Sequence, residues 1–536
     1  MKLDGIIISD YGRDSLSATN SMRLKLGDKV GYVQAIFNYL KNGRLIESEI
    51  EKESRPSWES APKLNGIFLL SFLKKRGFNF ELINNFKEEK KQFSELIGKN
   101  PKVILVSTTF IYRKKDLVDA VREIRDLCHD AVIVVGGPFI YSSFLLLEKS
   151  KKGNYQSEVA SNDYMFLTID DEPNVDFYIV SPRGEYILLD LIECLEKNGG
   201  LGEIPNIAIF RKDKYEFSVR SAEVCKGEDL FVDWKSLPKS IFDSKVVPAQ
   251  ASNGCTFNCS FCNFTKEKER TCIKPMELLL LELRQIEMMG AKYVWFSDDN
   301  FRLGKKDLNE FCRRLIEEEI VLKWMSFVRA STLADVDFQL LKKSGCVEVQ
   351  LGVESASSKI LNNMNKKATP DLYRNVIKKL LANGIDCSCY FLFGFPGETE
   401  ETVAETFDFL KEIESFDGEG SLSWSIFPFL LSPLSPIYEE EEREKYGLSG
   451  YMNKWQHNTM SSSDVNGIIK KVFSGLDFSG PIYRGDNLDY LQMLDAGDKR
   501  KFLYARHRLA KKIAGKIEFD FDKEFKESFK FLSYEN

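Results

Sequence analysis

Short runs of aliphatic and β-branched residues alternate with amphipathic stretches along most of the chain. In the first 195 residues, apolar runs at 5–10, 78–84, 102–109, 131–135 and 176–180 read as strands. The stretches 63–76 and 116–127 carry helical spacing, and a further helix is expected from Gly184 and Glu185 to Cys194. Strands buried on both faces and separated by helices predict a doubly wound, Rossmann-like parallel sheet, whose ligands sit at the carboxyl ends of the strands. The polar stretch 149–173 reads as an inserted loop.

A second alternating series runs from about residue 246 to 433, with strands expected at 246–251, 293–297, 324–329, 347–352, 387–393 and 422–429. Helices at 278–289, 335–344 and 370–383 stop at Gly290, Gly345 and Gly384, the residue type that closes helices in a left-handed turn. Six strands each followed by a helix predict a partial (β/α)6 TIM-type barrel with its active loops after the strands. The division is therefore an α/β sheet domain over 1–195, a linker over 196–240, the partial barrel over 241–435 and a small C-terminal accessory region over 436–536 that shapes the substrate pocket.

Composition narrows the chemistry. A chain of 536 residues with 43% apolar content can bury a sizeable core and calls for more than one domain. The net charge of -6 shows no basic asymmetry, so nucleic acid is not an expected partner. The apolar run 6–8 is too short for a secretory segment, and no run reaches the roughly 18 residues of a membrane span, so a cytoplasmic protein is expected. Three histidines far apart leave little material for a His-based metal site or a hydrolytic triad. His457 reads as a hydrogen-bonded structural residue before a general base. Eleven cysteines, an odd count, fit metal ligation and free thiols better than a disulfide framework. Cys387 and Cys389, two apart on one strand face, read as small packed hydrophobes.

The chemistry concentrates in Cys255-Thr256-Phe257-Asn258-Cys259-Ser260-Phe261-Cys262, three thiols within eight residues. One loop can wrap three corners of a cuboidal iron-sulfur cluster and leave the fourth iron open to a small molecule. A structural zinc site would want four protein ligands, and no paired CxxC or HxxxH accompanies the three.

This CxxxCxxC with an aromatic residue before its last cysteine resembles the signature of the radical S-adenosylmethionine superfamily, and the resemblance extends over about 246–416. It implies a [4Fe-4S] cluster on Cys255, Cys259 and Cys262 and cleavage of S-adenosylmethionine to a 5′-deoxyadenosyl radical. It further implies that Phe261, Asp298, Asp299, Arg329, Glu354, Ser355, Gly394, Pro396 and Gly397 surround the S-adenosylmethionine: Asp298 and Asp299 at the methionine amino group, Arg329 near its carboxylate, Glu354 at the ribose, and the Gly-Phe-Pro-Gly turn against the adenine.

The N-terminal pieces Val106-Ser107-Thr108-Thr109 and Val135-Gly136-Gly137-Pro138 resemble the cobalamin-binding domain that precedes the barrel in one branch of that superfamily. Ser107, Thr108, Gly136 and Gly137 are then the residues expected at the corrin, with no Asp-x-His-x-x-Gly to offer a histidine to cobalt. The branch implies cobalamin-dependent C-methylation of an unactivated carbon in a small-molecule, lipid or peptide substrate, with an electron donor such as flavodoxin or ferredoxin. Cyclisation, rearrangement or oxidation without methylation is the alternative, and a non-catalytic iron-sulfur carrier or sensor a further one.

Overall fold

The computed structural model describes residues 3–12, 22–46, 48–49, 57, 60–152, 164–167, 172–197, 204–223, 226–263, 271–301 and 305–532. The chain divides into two compact units, one of residues 1–14 and 62–238, the other of 15–61 and 239–536.

The first unit is built on one seven-stranded sheet. Its strands are β1 (Gly5–Ile8), β2 (Phe80–Ile83), β3 (Val103–Ser107), β4 (Val132–Gly136), β5 (Phe177–Ile179), β6 (Ile207–Arg211) and β7 (Lys214–Phe217). They lie in the order β2-β1-β3-β4-β5-β6-β7. The first five are parallel, as runs such as Gly5-Ile6-Ile7-Ile8 and Val103-Ile104-Leu105-Val106, buried on both faces, require. Helices Leu64–Lys74, Lys90–Ile97, Lys114–Leu127, Pro138–Ser150 and Glu185–Lys197 connect or cover them. The order reverses between β1 and β3, which makes their carboxyl ends the crevice where doubly wound sheets take ligands. The expected linker 196–240 is in part structured: β6 and β7 form an antiparallel hairpin that extends the sheet. Within the expected insertion 149–173, residues 153–163 and 168–171 lie outside the described residues.

The second unit carries the barrel-like sheet. Its strands are β8 (Val246–Ala249), β9 (Tyr293–Phe296), β10 (Lys323–Phe327), β11 (Cys346–Glu354), β12 (Asp386–Phe393), β13 (Leu422–Pro428) and β14 (Gly480–Pro481). They pair in sequence order, all parallel. Both edge strands contain a proline, Pro248 and Pro481. Helices Met276–Met288, Phe338–Lys343 and Pro370–Ala382 end where expected, and Gly290, Gly345 and Gly384 take positive φ of 90°, 93° and 68°. The barrel is thus the predicted six-strand series plus a two-residue seventh strand from the region expected to be accessory.

Residues 15–61, expected in the first domain, belong to this second unit. Arg23 Nη2 donates to the Ile482 carbonyl at 2.8 Å, Leu24 N to the Tyr483 hydroxyl at 2.7 Å and Val33 N to Asp486 at 2.8 Å. Arg506 Nη1 donates to both oxygens of the same buried Asp486, at 2.8 and 2.9 Å, and the guanidinium stacks 3.6 Å over the Tyr483 ring. No helix among the described residues is long and apolar enough to cross a membrane.

Candidate active site: a three-cysteine loop and the cavity beside it

The loop 254–262 follows β8, and three neighbouring segments hold it. From the end of β9, the fully enclosed Asp298 carboxylate accepts Ala251 N at 3.1 Å, Ser252 N at 2.5 Å and Ser252 Oγ at 2.6 Å. The adjacent Asp299 accepts Gly254 N at 3.1 Å, and Gly254 itself has φ of 77°. From the end of the short helix Ser358–Asn363 that follows β11, Asn365 Nδ2 donates to the Asn258 carbonyl at 2.7 Å, while Ser260 donates through N to Met364 O and through Oγ to Asn363 O. Ile437 N closes the third side on Ser260 O at 2.9 Å. Behind Asp298, Lys274 and Glu282 form an ion pair with both side chains fully buried.

Cys255, Cys259 and Cys262 are free thiols; Cys259 is buried and the other two are partly exposed. Among the described residues no three His, Cys, Asp or Glu side chains converge as ligands of a single metal ion. A loop presenting three spaced thiols fits the corners of a larger cluster, and its donor set is thiolate alone, the ligand type that iron-sulfur clusters take. Of the other cysteines, Cys387 and Cys389 are fully buried with Sγ atoms 3.6 Å apart, as the packing expectation has it, whereas Cys272 is disulfide-bonded rather than a thiol.

A cavity of about 310 Å³ opens beside the loop, at the carboxyl ends of β9 to β13. Cys255, Asp299, Arg329, Glu354, Lys366 and Tyr373 line it with Phe327, Tyr390 and Phe427. Arg329 Nη1 lies 3.7 Å from Cys259 Sγ, Nη2 donates to the Lys366 carbonyl, and the guanidinium sits 3.6 Å over the Phe257 ring. Glu354 closes β11 in a left-handed conformation, φ 64°, and its Oε1 accepts Lys366 Nζ at 2.8 Å. Gly352 leaves room beneath this pair: a Cβ there would stand 2.5 Å from Glu354 Oε1 and push that carboxylate aside. Asn365 and Lys367 also have positive φ, 51° and 53°, so the strained backbone clusters where Lys366 is aimed into the cavity.

The electrostatics follow from enclosure. Burial pushes the Asp298 carboxyl up to about 7, against the pull of its donors from Ser252 and Ala251, and burial raises Asp299 likewise. Lys366 moves the other way from what its burial alone would do: desolvation lowers it, but its electrostatic surroundings, the Glu354 carboxylate foremost, outweigh that and hold the ammonium above its ordinary range. Burial carries the Tyr373 phenol up to about 12; it donates to the Gly352 carbonyl at 3.1 Å.

The structure brings together Cys255, Asp299, Arg329 and Glu354 of the expected residues, and Cys259 through Arg329. Phe261 stands edge-on to Phe395 at 6.5 Å, with Lys366 Nζ 5.7 Å from its ring. Asp298 is spent on the loop and does not line the cavity. Ser355 is buried and exchanges a hydrogen bond with Thr406 at 3.1 Å. Pro396 O accepts Asn363 Nδ2 at 3.2 Å, and a Cβ on Gly397 would meet that same amide nitrogen at 2.6 Å. At Gly394 the vacant Cβ position is occupied by Trp455 and Val465. His457 is a packing residue: its ring stacks on Trp455 at 5.3 Å, Nδ1 accepts from Thr459, and Nε2 bonds the Gly394 carbonyl at 3.3 Å. Lys366 and Tyr373 are among the cavity residues that the sequence does not mark, as are Phe327, Tyr390 and Phe427. Lys366 carries no motif of its own, and only its place after the Met-Asn turn could have drawn attention to it.

In the first unit, the crevice between β1 and β3 holds Asn65, which donates to Ser9 O at 2.9 Å and to Ser107 Oγ at 2.8 Å. Ser107 Oγ lies 3.0 Å from Thr109 Oγ1, and Thr108 turns away to donate through Oγ1 to the Gly136 carbonyl at 2.9 Å. Gly137 takes φ of 110°, where a Cβ would meet Thr108 Oγ1 at 2.9 Å. Ser9 Oγ and Asn65 Oδ1 are buried there without a hydrogen-bond partner.

Residues 250–410 match the model of the Radical SAM superfamily. An uncharacterized methyltransferase of Pyrococcus horikoshii is 28% identical over 254 residues, 46% of this chain and 55% of that relative, so the chain spans about half its length. An anaerobic magnesium-protoporphyrin IX monomethyl ester cyclase of Rubrivivax gelatinosus is 23% identical over 429 residues, 76% of this chain and 71% of that one. The cobalamin-dependent S-adenosylmethionine radical enzyme OxsB, solved with aqua-cobalamin and S-adenosylmethionine bound, shares the fold at a TM-score of 0.57 and 14% identity, over 99% of this chain and 83% of that one.

Proposed function

Residues 250–410 are a radical S-adenosylmethionine domain, which implies a [4Fe-4S] cluster and S-adenosylmethionine, and on that premise we propose that this enzyme uses the cleavage to methylate an unactivated carbon with cobalamin as methyl carrier. The observation that carries the reading is the three-cysteine loop opening on one cavity that already holds Arg329, Glu354 and Lys366. A zwitterionic nucleoside needs both signs of charge, and the cavity supplies them.

Cys255, Cys259 and Cys262 would hold the cluster, and Asp298 keeps their loop in place by fixing the backbone just before it. Arg329 and Lys366 offer cations to the methionine carboxylate, Asp299 an acceptor to its ammonium, and Glu354 an acceptor to ribose hydroxyls. Phe327, Tyr390 and Phe427 form an apolar wall that excludes water from a reactive radical. When bound, the reduced cluster supplies the electron that splits the sulfonium, and a methylated corrin supplies the methyl group. Ser107 and Thr109, the Gly136-Gly137 backbone and the unpartnered Ser9 Oγ and Asn65 Oδ1 are the polar groups that fit such a cofactor at the β1/β3 crevice. No histidine stands there: His129, the one histidine of this unit, precedes β4 at the amino ends of the strands.

The cyclase likeness supports a second reading in which the substrate radical closes a ring without gaining carbon. Oxygen-free reconstitution, absorption spectra and a 5′-deoxyadenosine assay test the proposal. Corrin bands and a product heavier by one methyl group support methylation; an unmethylated product, or no corrin, refutes it. Cys259→Ala should abolish 5′-deoxyadenosine formation, and full activity in that variant would overturn the cluster assignment.

A further inference from the structure

We propose that Arg329 sets the reduction potential of the cluster, by fixing a positive charge against one of its three cysteine ligands, Cys259, and not against Cys255. The inference rests on the cluster reading above. Its basis is a guanidinium held from three sides: Nη1 toward Cys259 Sγ at 3.7 Å, Nη2 on the Lys366 carbonyl, and the plane 3.6 Å over Phe257. Arginine stays charged at any working pH, and its planar fork allows one nitrogen to be anchored while another meets the sulfur.

The charges around the loop are unequal. Near Cys259 stand two cations, Arg329 and Lys366. Lys366 Nζ is directed at Glu354, 2.8 Å away, whereas Arg329 Nη1 is directed at the sulfur. At the other end of the motif Asp299 takes the Gly254 amide, next to Cys255, which sets a carboxylate rather than a guanidinium on that stretch of the loop. Hydrogen bonds to the ligating sulfurs and local charge are what set the potentials of such clusters. Reduction adds one electron to the cluster, here from an external reductant such as dithionite, and Arg329 neither gives nor takes one. Its charge stabilises the more negative, reduced form and so makes the electron easier to accept.

The test is an electron paramagnetic resonance redox titration of the full chain, reconstituted without oxygen and without added S-adenosylmethionine. Arg329→Gln should lower the ratio of reduced to oxidised cluster at a fixed poise about tenfold, a midpoint about 59 mV more negative for a one-electron couple. Arg329→Lys, which keeps the charge, should recover part of that shift. Phe257→Leu, which removes the ring beneath the guanidinium and leaves the charge, should shift the midpoint less and in the same direction. An unchanged or raised midpoint in Arg329→Gln, at full iron content, overturns the inference. If that variant holds no cluster, an unchanged midpoint in Phe257→Leu overturns it instead. A wild-type chain that assembles no cluster would sink the proposed function itself, whereas an intact cluster with an immovable midpoint sinks only the role of Arg329.

Discussion

Gly394 offers a sharp choice between two explanations of one residue. The sequence reading assigns the Gly-Phe-Pro-Gly turn to close approach of an adenine, but the space a side chain would fill at Gly394 is already taken by protein. A Cβ there would lie 2.5 Å from Trp455 Cη2 and 2.6 Å from Val465 Cγ2, on a backbone with φ of 92°. The left-handed conformation costs an L-residue about 1–2 kcal/mol. Overpacking against an indole anchored through Nε1 to Phe429 O at 2.8 Å adds about 1–3 kcal/mol. Loss of glycine's unfolded-state freedom returns about 0.4–1 kcal/mol. Gly394→Ala should therefore destabilise the second unit by about 2–4 kcal/mol, a fall in its melting temperature of about 3–6 °C. Calorimetry without S-adenosylmethionine measures this, with Gly467→Ala as the control, since a Cβ there meets nothing within 4 Å and should be neutral or slightly stabilising. A Gly394→Ala chain that melts within about 1 °C of the wild type, yet binds S-adenosylmethionine weakly, would refute the packing account and restore the adenine.

Glu354→Gln should strand the buried Lys366 ammonium and cost about 3 kcal/mol in urea unfolding; the double variant with Lys366→Met should regain much of it, and simple additivity would show that the pair is not coupled. His507, enclosed edge-to-face by Trp424 and Phe473, is pulled down to about 3 by burial. The unfolded chain then binds a proton that the native one refuses, so stability is full above about pH 6.5 and is lost as pH falls from there toward 3. His507→Phe should flatten that part of the urea-stability profile, and an unchanged slope would mean another group carries it.

Much of this was legible in the sequence where the signal is local. The five parallel strands of the first sheet and the first six of the second are legible to within a few residues because β-branched runs between helical repeats report burial on both faces, and Gly290, Gly345 and Gly384 stop their helices through a conformation other residues resist. The cysteine loop was legible from spacing alone. Residues 15–61 were misplaced because what ties them, Arg23 to Ile482 and Val33 to Asp486, spans more than 450 positions and leaves no periodic trace. The hairpin of β6 and β7 was missed because its outer residues alternate with exposed charge and look like a linker. Lys366 went unnoticed since it enters the cavity through two left-handed residues, Asn365 and Lys367, that no composition rule marks. The family resemblance implies Asp298 at the ligand, whereas its hydrogen bonds go to Ala251 and Ser252, just before the loop.

The prolines at the two ends of the barrel sheet have an effect beyond their own strands. An unclosed sheet offers two rows of unsatisfied backbone amides, the usual template for another chain to add a strand. Pro248 on β8 and Pro481 on β14 each delete a donor from those rows, and β14 is only two residues long. The seam is thereby kept from zipping onto a second molecule, so the sheet can stay unclosed without becoming a seed for fibrils.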